Sequence, residues 1–318
     1  MKTSIIILII LAALCALIYL IGCLFVRLLI LREDEPSSPE RGDESSPLLE
    51  PTGADLWEHN IPSFAPFRRL PFEKHYITSH DGIKLCADLL RADGKTDVTL
   101  LFFHGYKSEP AYDFAAMYDF YHAQGYNLVY VHMRSHGESD GKYIGFGALD
   151  RYDAALWCEY FAKLFPDTSL FLHGMSMGAA SIMQASCLEL PDAVCGIISD
   201  CGFSSTNEVF RNLIGTMFHL PATPFVEIFE FVNRKKAGYG FTEADSIECL
   251  KRTKLPLLYF VGDSDVFVPL PMAQRIFDAC PNDKELLITE NCGHAASFML
   301  NNDKYTQLVV SFINKHKR

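Results

Sequence analysis

The stretch that most constrains this chain runs from Ser169 to Ala180, SLFLHGMSMGAA. Leu170 to Leu172 is an apolar run that reads as a buried parallel strand. It leads into Gly174-Met175-Ser176-Met177-Gly178, a G-x-S-x-G sequence, and then into small and helix-favouring residues from Ala179 to Leu190. Strand, sharp turn and helix are the setting in which such a pentapeptide becomes a nucleophile elbow. The turn holds the serine in a strained conformation, so the residues two positions away must be small, as Gly174 and Gly178 are. The Ser176 hydroxyl is then expected to stand clear of the sheet at a helix start. There a backbone N–H and the helix dipole stabilise developing negative charge.

The surrounding pattern fits a sheet built around that turn. His75–Thr78 and Lys84–Leu90 read as an antiparallel hairpin closed by His80-Asp81-Gly82. Strands follow at Val98–Phe103, Asn127–Met133, the elbow strand, Val194–Ser199, Leu255–Val261 and Glu285–Thr289. Helical spacing at Ala111–Ala123, Phe146–Phe165, Pro271–Ala279 and Tyr305–Lys315 alternates with them. The expectation is an α/β fold: a mostly parallel eight-stranded sheet with helices on both faces. Between Phe203 and Lys254 the alternation fails. Apolar residues including Phe210, Met217 and Phe229, broken by Pro221 and Pro224, predict a helical cap over about 203–254.

The amino-terminal part is of another kind. Ile5 to Val26 is almost wholly apolar, about 33 Å as a helix and long enough to cross a bilayer core. Leu20-Ile21-Gly22-Cys23 resembles a lipoprotein box, but the apolar run continues to Leu31, which favours an uncleaved anchor over 1–31. Lys2 on one side and Arg27 and Arg32 on the other leave the positive-inside balance even. Residues 32–61 are rich in Pro, Ser and acids and are expected to be an extended linker. Nine acids against Arg32 and Arg41 between 32 and 58 account for −7 of the chain's net −11, so the domain beginning at 62 is only mildly acidic. That balance excludes nucleic acid as a natural partner. Neither anchor nor linker is expected to contribute to the core, so a chain lacking residues 1–60 should fold and act alone. The ten cysteines include no C-x-x-C pair; Cys86, Cys158, Cys187, Cys195 and Cys201 read as free, core-filling thiols, and no structural metal or cofactor is expected.

A serine nucleophile needs a base within hydrogen-bond reach and an acid that orients the base. In strand–turn–helix hydrolytic folds they follow the serine in the order acid, histidine. After the strand ending at Val261 come Asp263 and Asp265; after the strand ending at Thr289 come Gly293 and His294; Asp200 ends a further strand. His294 is the expected base. Asp265 is the favoured acid, since Asp263 suits the Gly262 turn and Asp200 the entry to the cap. Oxyanion donors, each contributing roughly 3–4 kcal/mol in the transition state, are expected from the backbone N–H of Met177 and from that of Tyr106, after His104-Gly105.

These motifs, with Arg134-Ser135-His136-Gly137-Glu138-Ser139, make the chain from about His75 to Lys315 resemble the serine α/β-hydrolases. Within them it is most similar to small bacterial esterases and monoacylglycerol-lipase or serine-aminopeptidase-like hydrolases. The aspartate that opens one familiar loop pattern is replaced here by His132 or Met133. The resemblance implies Asp265 as the acid, Tyr106 as an oxyanion donor, and an acyl-enzyme route with a carboxylic ester or lipid-like substrate. Amide or peptide hydrolysis by the same three groups, and a non-catalytic scaffold, are the competing expectations. Phe210, Met217 and Phe229 are the candidate lining of the substrate pocket.

Overall fold

The computed structural model describes residues 2–32 and 63–318; the linker expected over 32–61 lies, Arg32 apart, outside them. Eight strands form one sheet: β1 (Glu73–Thr78), β2 (Lys84–Leu90), β3 (Val98–Phe103), β4 (Asn127–His132), β5 (Ser169–Met175), β6 (Val194–Asp200), β7 (Leu257–Gly262) and β8 (Lys284–Thr289). Their order is β1-β2-β4-β3-β5-β6-β7-β8. Only β2 runs against the others, pairing antiparallel with β1 and β4; every later pair is parallel. The central strands are buried at every residue of VTLLFF in β3 and SLFLHGM in β5. Unbroken apolar runs are what a sheet covered on both faces requires, and the edge strand β1 alternates instead.

Strand order reverses at β3, so the loops after β3 and β5 splay to opposite sides and open a crevice at the carboxyl edge. The covering helices are α1 (Lys2–Leu29), α2 (Pro110–Phe114), α3 (Tyr118–Ala123), α4 (Asp150–Leu164), α5 (Met177–Ala185), α6 (Thr206–Met217), α7 (Ala222–Lys236), α8 (Ser246–Leu250), α9 (Leu270–Ala279), α10 (Ser297–Leu300) and α11 (Asn302–His316). The single helix expected over 111–123 is two: the chain tightens where the Met117 N–H donates to the Phe114 carbonyl at 3.0 Å. α6 to α8 occupy the stretch expected as the cap. Ser205 caps α6 by accepting from the Glu208 N–H, and Asp245 caps α8 by accepting from the Glu248 N–H.

Two expectations are overturned. Cys187 is not a free thiol; it is disulfide-bonded to Cys249, which ties the chain just after α5 to α8 at the cap's exit. Nor is α1 separate from the core. Residues 4–20 are exposed, but Phe25, Val26, Leu29 and Ile30 are buried in the main hydrophobic cluster together with cap residues Phe210, Val226, Phe229 and Val232. Gly22 allows this approach: a Cβ there would lie 2.4 Å from Val232 Cγ2 and 3.0 Å from the Ile228 carbonyl oxygen.

Candidate active site

The G-x-S-x-G turn is dictated by contact as much as by conformation. Ser176 sits at φ 50°, ψ −108°, between β5 and α5. A Cβ on Gly178 would fall 2.0 Å from the Phe103 carbonyl oxygen, and one on Gly174 would fall 2.4 Å from the Ala179 nitrogen. Strand β3 and the first turn of α5 therefore close on the elbow from both sides, and only hydrogen fits at either position. The Ser176 N–H donates to the Asp200 carbonyl at 2.8 Å, pinning the elbow to β6.

The three residues singled out, from loops spread over 118 positions, meet here. Ser176 Oγ lies 2.7 Å from His294 Nε2, and His294 Nδ1 lies 2.7 Å from Asp265 Oδ2. The other Asp265 oxygen accepts from the Phe267 and Val268 N–H groups, both at 2.8 Å, so the carboxylate is fixed at both ends. Asp263 stands apart: its Oδ1 accepts from Ser264 Oγ at 2.9 Å and from the Cys292 N–H at 3.3 Å, a turn-forming role. Asp200 is wholly buried beneath the site, and burial pushes its carboxyl up to about 7. Burial disfavours a charged His294, but the charge and hydrogen bond of Asp265 more than reverse this and raise its pKa above the ordinary 6.5.

The loop after β3 packs against the serine: a Cβ on Gly105 would lie 3.6 Å from Ser176 Cβ. Met177 opens α5, and its N–H is one of the first four in the helix, which have no intrahelical acceptor. Three residues hold the β3 loop; His104 and His136 lie in the motifs the sequence singles out, whereas Asp113 carries no signature there. Asp113, in α2, accepts from the Gly105 N–H and from Ser108 Oγ, both at 2.6 Å, and burial lifts its carboxyl to about 6. His104 accepts from the Met133 N–H through Nε2 at 3.1 Å, and His136 accepts from the Lys107 N–H through Nε2 at 3.0 Å. Each ring's Nδ1 lies 2.8 Å from a backbone carbonyl, the tautomer in which Nδ1–H donates and Nε2 accepts. Two neutral imidazoles thus clamp the β3 loop to the 132–139 loop. That second loop is fixed in turn by Arg134, which pairs with Asp153 at 2.6 Å and with Asp81 at 2.9 Å.

The expected pocket residues divide. Phe210 and Phe229 are fully buried in a stack of rings, 4.9 Å apart, each in contact with Phe241, and do not face an open site. Their length and apolarity serve cap packing. Met217, at the end of α6, stays partly exposed. Among the described residues one cluster has metal-type donors, Cys86, Asp88 and His132. Asp88 is already engaged by Lys74 Nζ at 2.9 Å and His132 Nε2 at 3.0 Å, which places a cation where a metal would compete.

Comparison with known proteins bears on the fold and the broad class. A family model described as serine aminopeptidase, S33 matches residues 94–229. The solved esterase Pf2001 of Pyrococcus furiosus superposes with a TM-score of 0.63 at 21% identity, over 78% of this chain and 92% of that one. The chain has the α/β-hydrolase fold. The uncharacterized protein YqkD of Bacillus subtilis (strain 168) is 25% identical over 191 residues, 60% of this chain and 63% of that protein. Protein bem46 of Schizosaccharomyces pombe is 22% identical over 259 residues, 80% of each. The acylaminoacyl peptidase of Pyrococcus horikoshii superposes with a TM-score of 0.55 at 19% identity, over 80% of this chain and 43% of that one. It is the family model, over residues 94–229, that supports a hydrolase of the serine type.

Proposed function

We propose that this hydrolase cleaves carboxylic esters through an acyl-enzyme on Ser176. The observation that carries the reading is the unbroken Ser176–His294–Asp265 hydrogen-bonded chain at the carboxyl edge of the sheet. His294 takes the Ser176 proton as Oγ attacks the ester carbonyl. The Met177 and Tyr106 N–H groups stabilise the oxyanion. The tetrahedral intermediate expels the alcohol, which leaves with the proton from His294. Water, deprotonated by the same imidazole, then releases the acid and restores Ser176. Asp265 holds the imidazole with Nδ1–H toward itself and Nε2 toward the serine. An apolar helix long enough to cross a membrane supports a bilayer-associated enzyme acting on an acyl ester or lipid-like small molecule.

The test is fluorophosphonate labelling of the wild type, then kcat/KM for p-nitrophenyl esters against aminoacyl p-nitroanilides. Faster ester turnover supports the reading; faster amide turnover replaces it with a peptidase. Within the ester series kcat/KM should rise with acyl length, by up to about 0.8 kcal/mol per buried methylene. Met217→Ala should alter that profile. Phe229→Ala should leave its shape unchanged and destabilise the fold by about 3–5 kcal/mol. A profile moved by Phe229→Ala and untouched by Met217→Ala would reverse the assignment.

The pH profile has a defined sign. Only neutral imidazole can accept the serine proton, and the Asp265 carboxylate raises the pKa of His294. Activity should therefore be full on the alkaline side and fall as pH drops, the acid limb of kcat/KM centring above 6.5. Asp265→Asn should move that limb downward. A wild-type limb below 6.5 would contradict the pairing.

A further inference from the structure

The carboxyl end of α1 meets the same loops that border Ser176. The last carbonyls of a helix lack intrahelical donors and carry the negative end of its dipole. Here both are answered by the β3 loop: Tyr106 Oη donates to the Leu29 carbonyl at 2.9 Å and Lys107 Nζ donates to the Leu28 carbonyl at 3.0 Å. The next residues bind the chain between β4 and α4, in and just beyond that second loop. Leu31 forms an antiparallel bridge with Tyr143, the Arg32 N–H donates to Lys142 O at 2.9 Å, and the Ile144 N–H donates to Ile30 O at 2.8 Å. The Arg32 guanidinium donates to the Ser139 and Gly137 carbonyls at 2.6 and 2.7 Å. One turn earlier, Phe25 stands against Phe229, which continues through Phe210 and Phe146 to the ring of Tyr106, with centroid spacings of 5.6, 4.9, 4.7 and 5.0 Å.

We propose that Gly22–Arg32, the carboxyl end of the apolar amino-terminal helix, is a positioning element of the hydrolytic site. It sets the β3 loop, and with it the Tyr106 amide, relative to Ser176. Anchor and site are then one mechanical unit: the Tyr106 amide is in register with the nucleophile only while α1 is seated on the cap. This inference rests on the reading of Ser176 as nucleophile, and the experiment separates the two.

The full chain is reconstituted in lipid nanodiscs and assayed with p-nitrophenyl acetate, alongside the rate of fluorophosphonate labelling and the melting temperature. Tyr106→Phe deletes only the hydroxyl that reaches Leu29 and should lower kcat about fivefold with KM unchanged. Gly22→Ala pushes a Cβ onto Val232 Cγ2. Its displacement of the loop should lower kcat by between about tenfold and a hundredfold. Val232→Ala removes that nearest contact, so the double variant should recover most of the loss, and an unchanged melting temperature in Gly22→Ala separates loop displacement from loss of fold. Wild-type kcat and labelling in both Tyr106→Phe and Gly22→Ala, or a rise in KM with kcat intact, would overturn the proposal while leaving the nucleophile in place. A wild type that the fluorophosphonate fails to label would remove the underlying reading itself.

Discussion

Ser176→Ala and His294→Ala are each expected to lower kcat by about a millionfold and to leave folding intact, because the three groups act as a unit. Without the Ser176 hydroxyl no acyl-enzyme forms. Without the imidazole the serine keeps its proton, since among the described residues no other group hydrogen-bonded to Oγ serves as a base: the neighbouring sulfur, Cys201 Sγ, is 3.8 Å from His294 Nε2 and burial raises its pKa well above the ordinary thiol value. Asp265→Ala should cost about ten-thousandfold, less than the other two, because the imidazole remains present although no longer held in its tautomer. Asp263→Ala should be nearly silent, its carboxylate being a solvent-exposed turn group that accepts from Ser264 and Cys292. The measurements are kcat on the best ester of the series and labelling by a fluorophosphonate, with melting temperatures as the fold control. Greater damage from Asp263→Ala than from Asp265→Ala would displace Asp265 from its role.

How far the sequence reveals this arrangement depends on how local the physical signal is. Strands β3 to β7 are legible because strands covered on both faces must be apolar without a break. Ser176 and Asp265 are legible because each follows such a strand, His294 because a glycine precedes it in the loop after the half-exposed edge strand β8, and the elbow glycines because contacts with the immediate flanks require them. Asp113 is not: what gives it meaning is the Gly105 N–H brought to it by the turn of the β3 loop, and no residue type or spacing announces that bond. The Cys187–Cys249 pairing is hidden for the same reason, its partners being 62 residues apart on either side of the cap. The docking of α1 is hidden differently. A helix exposed along residues 4–20 and packed on protein only near its carboxyl end is apolar all round, so no amphipathic stripe marks its buried face. In the absence of that partner the cap aromatics Phe210 and Phe229 read as pocket lining. Once Phe25 is placed against Phe218, Phe225 and Phe229, much of the cap's apolar surface is accounted for without a substrate.

A chain beginning at residue 63 should therefore be far less stable than the full protein. Removing α1 uncovers Val226, Phe229 and Val232 on the cap, and strips the β3 loop of the Leu28 and Leu29 acceptors. Full burial of a side chain such as Phe25, Val26, Leu29 or Ile30 contributes roughly 1.5–3 kcal/mol. Four of them approach the entire net stability of an ordinary domain, about 5–15 kcal/mol. The melting temperature should fall by about 10 °C or more, and the exposed cap should bind a hydrophobic dye. A chain beginning at Leu20 provides the contrast. It discards the exposed stretch from Ser4 to Tyr19, which makes no part of the core, and keeps the whole docked segment from Ile21 to Arg32. With residues 33–62 retained as the connection, the docked segment remains tethered to the domain it packs against. That chain should keep the melting temperature and the ester turnover of the full protein in mild detergent. Comparing the two truncations isolates docking from membrane insertion, since neither retains a helix long enough to span a bilayer. Equal melting temperatures and equal kcat for the two would show that the docked turns carry no stability, and the cap would have to be self-supporting.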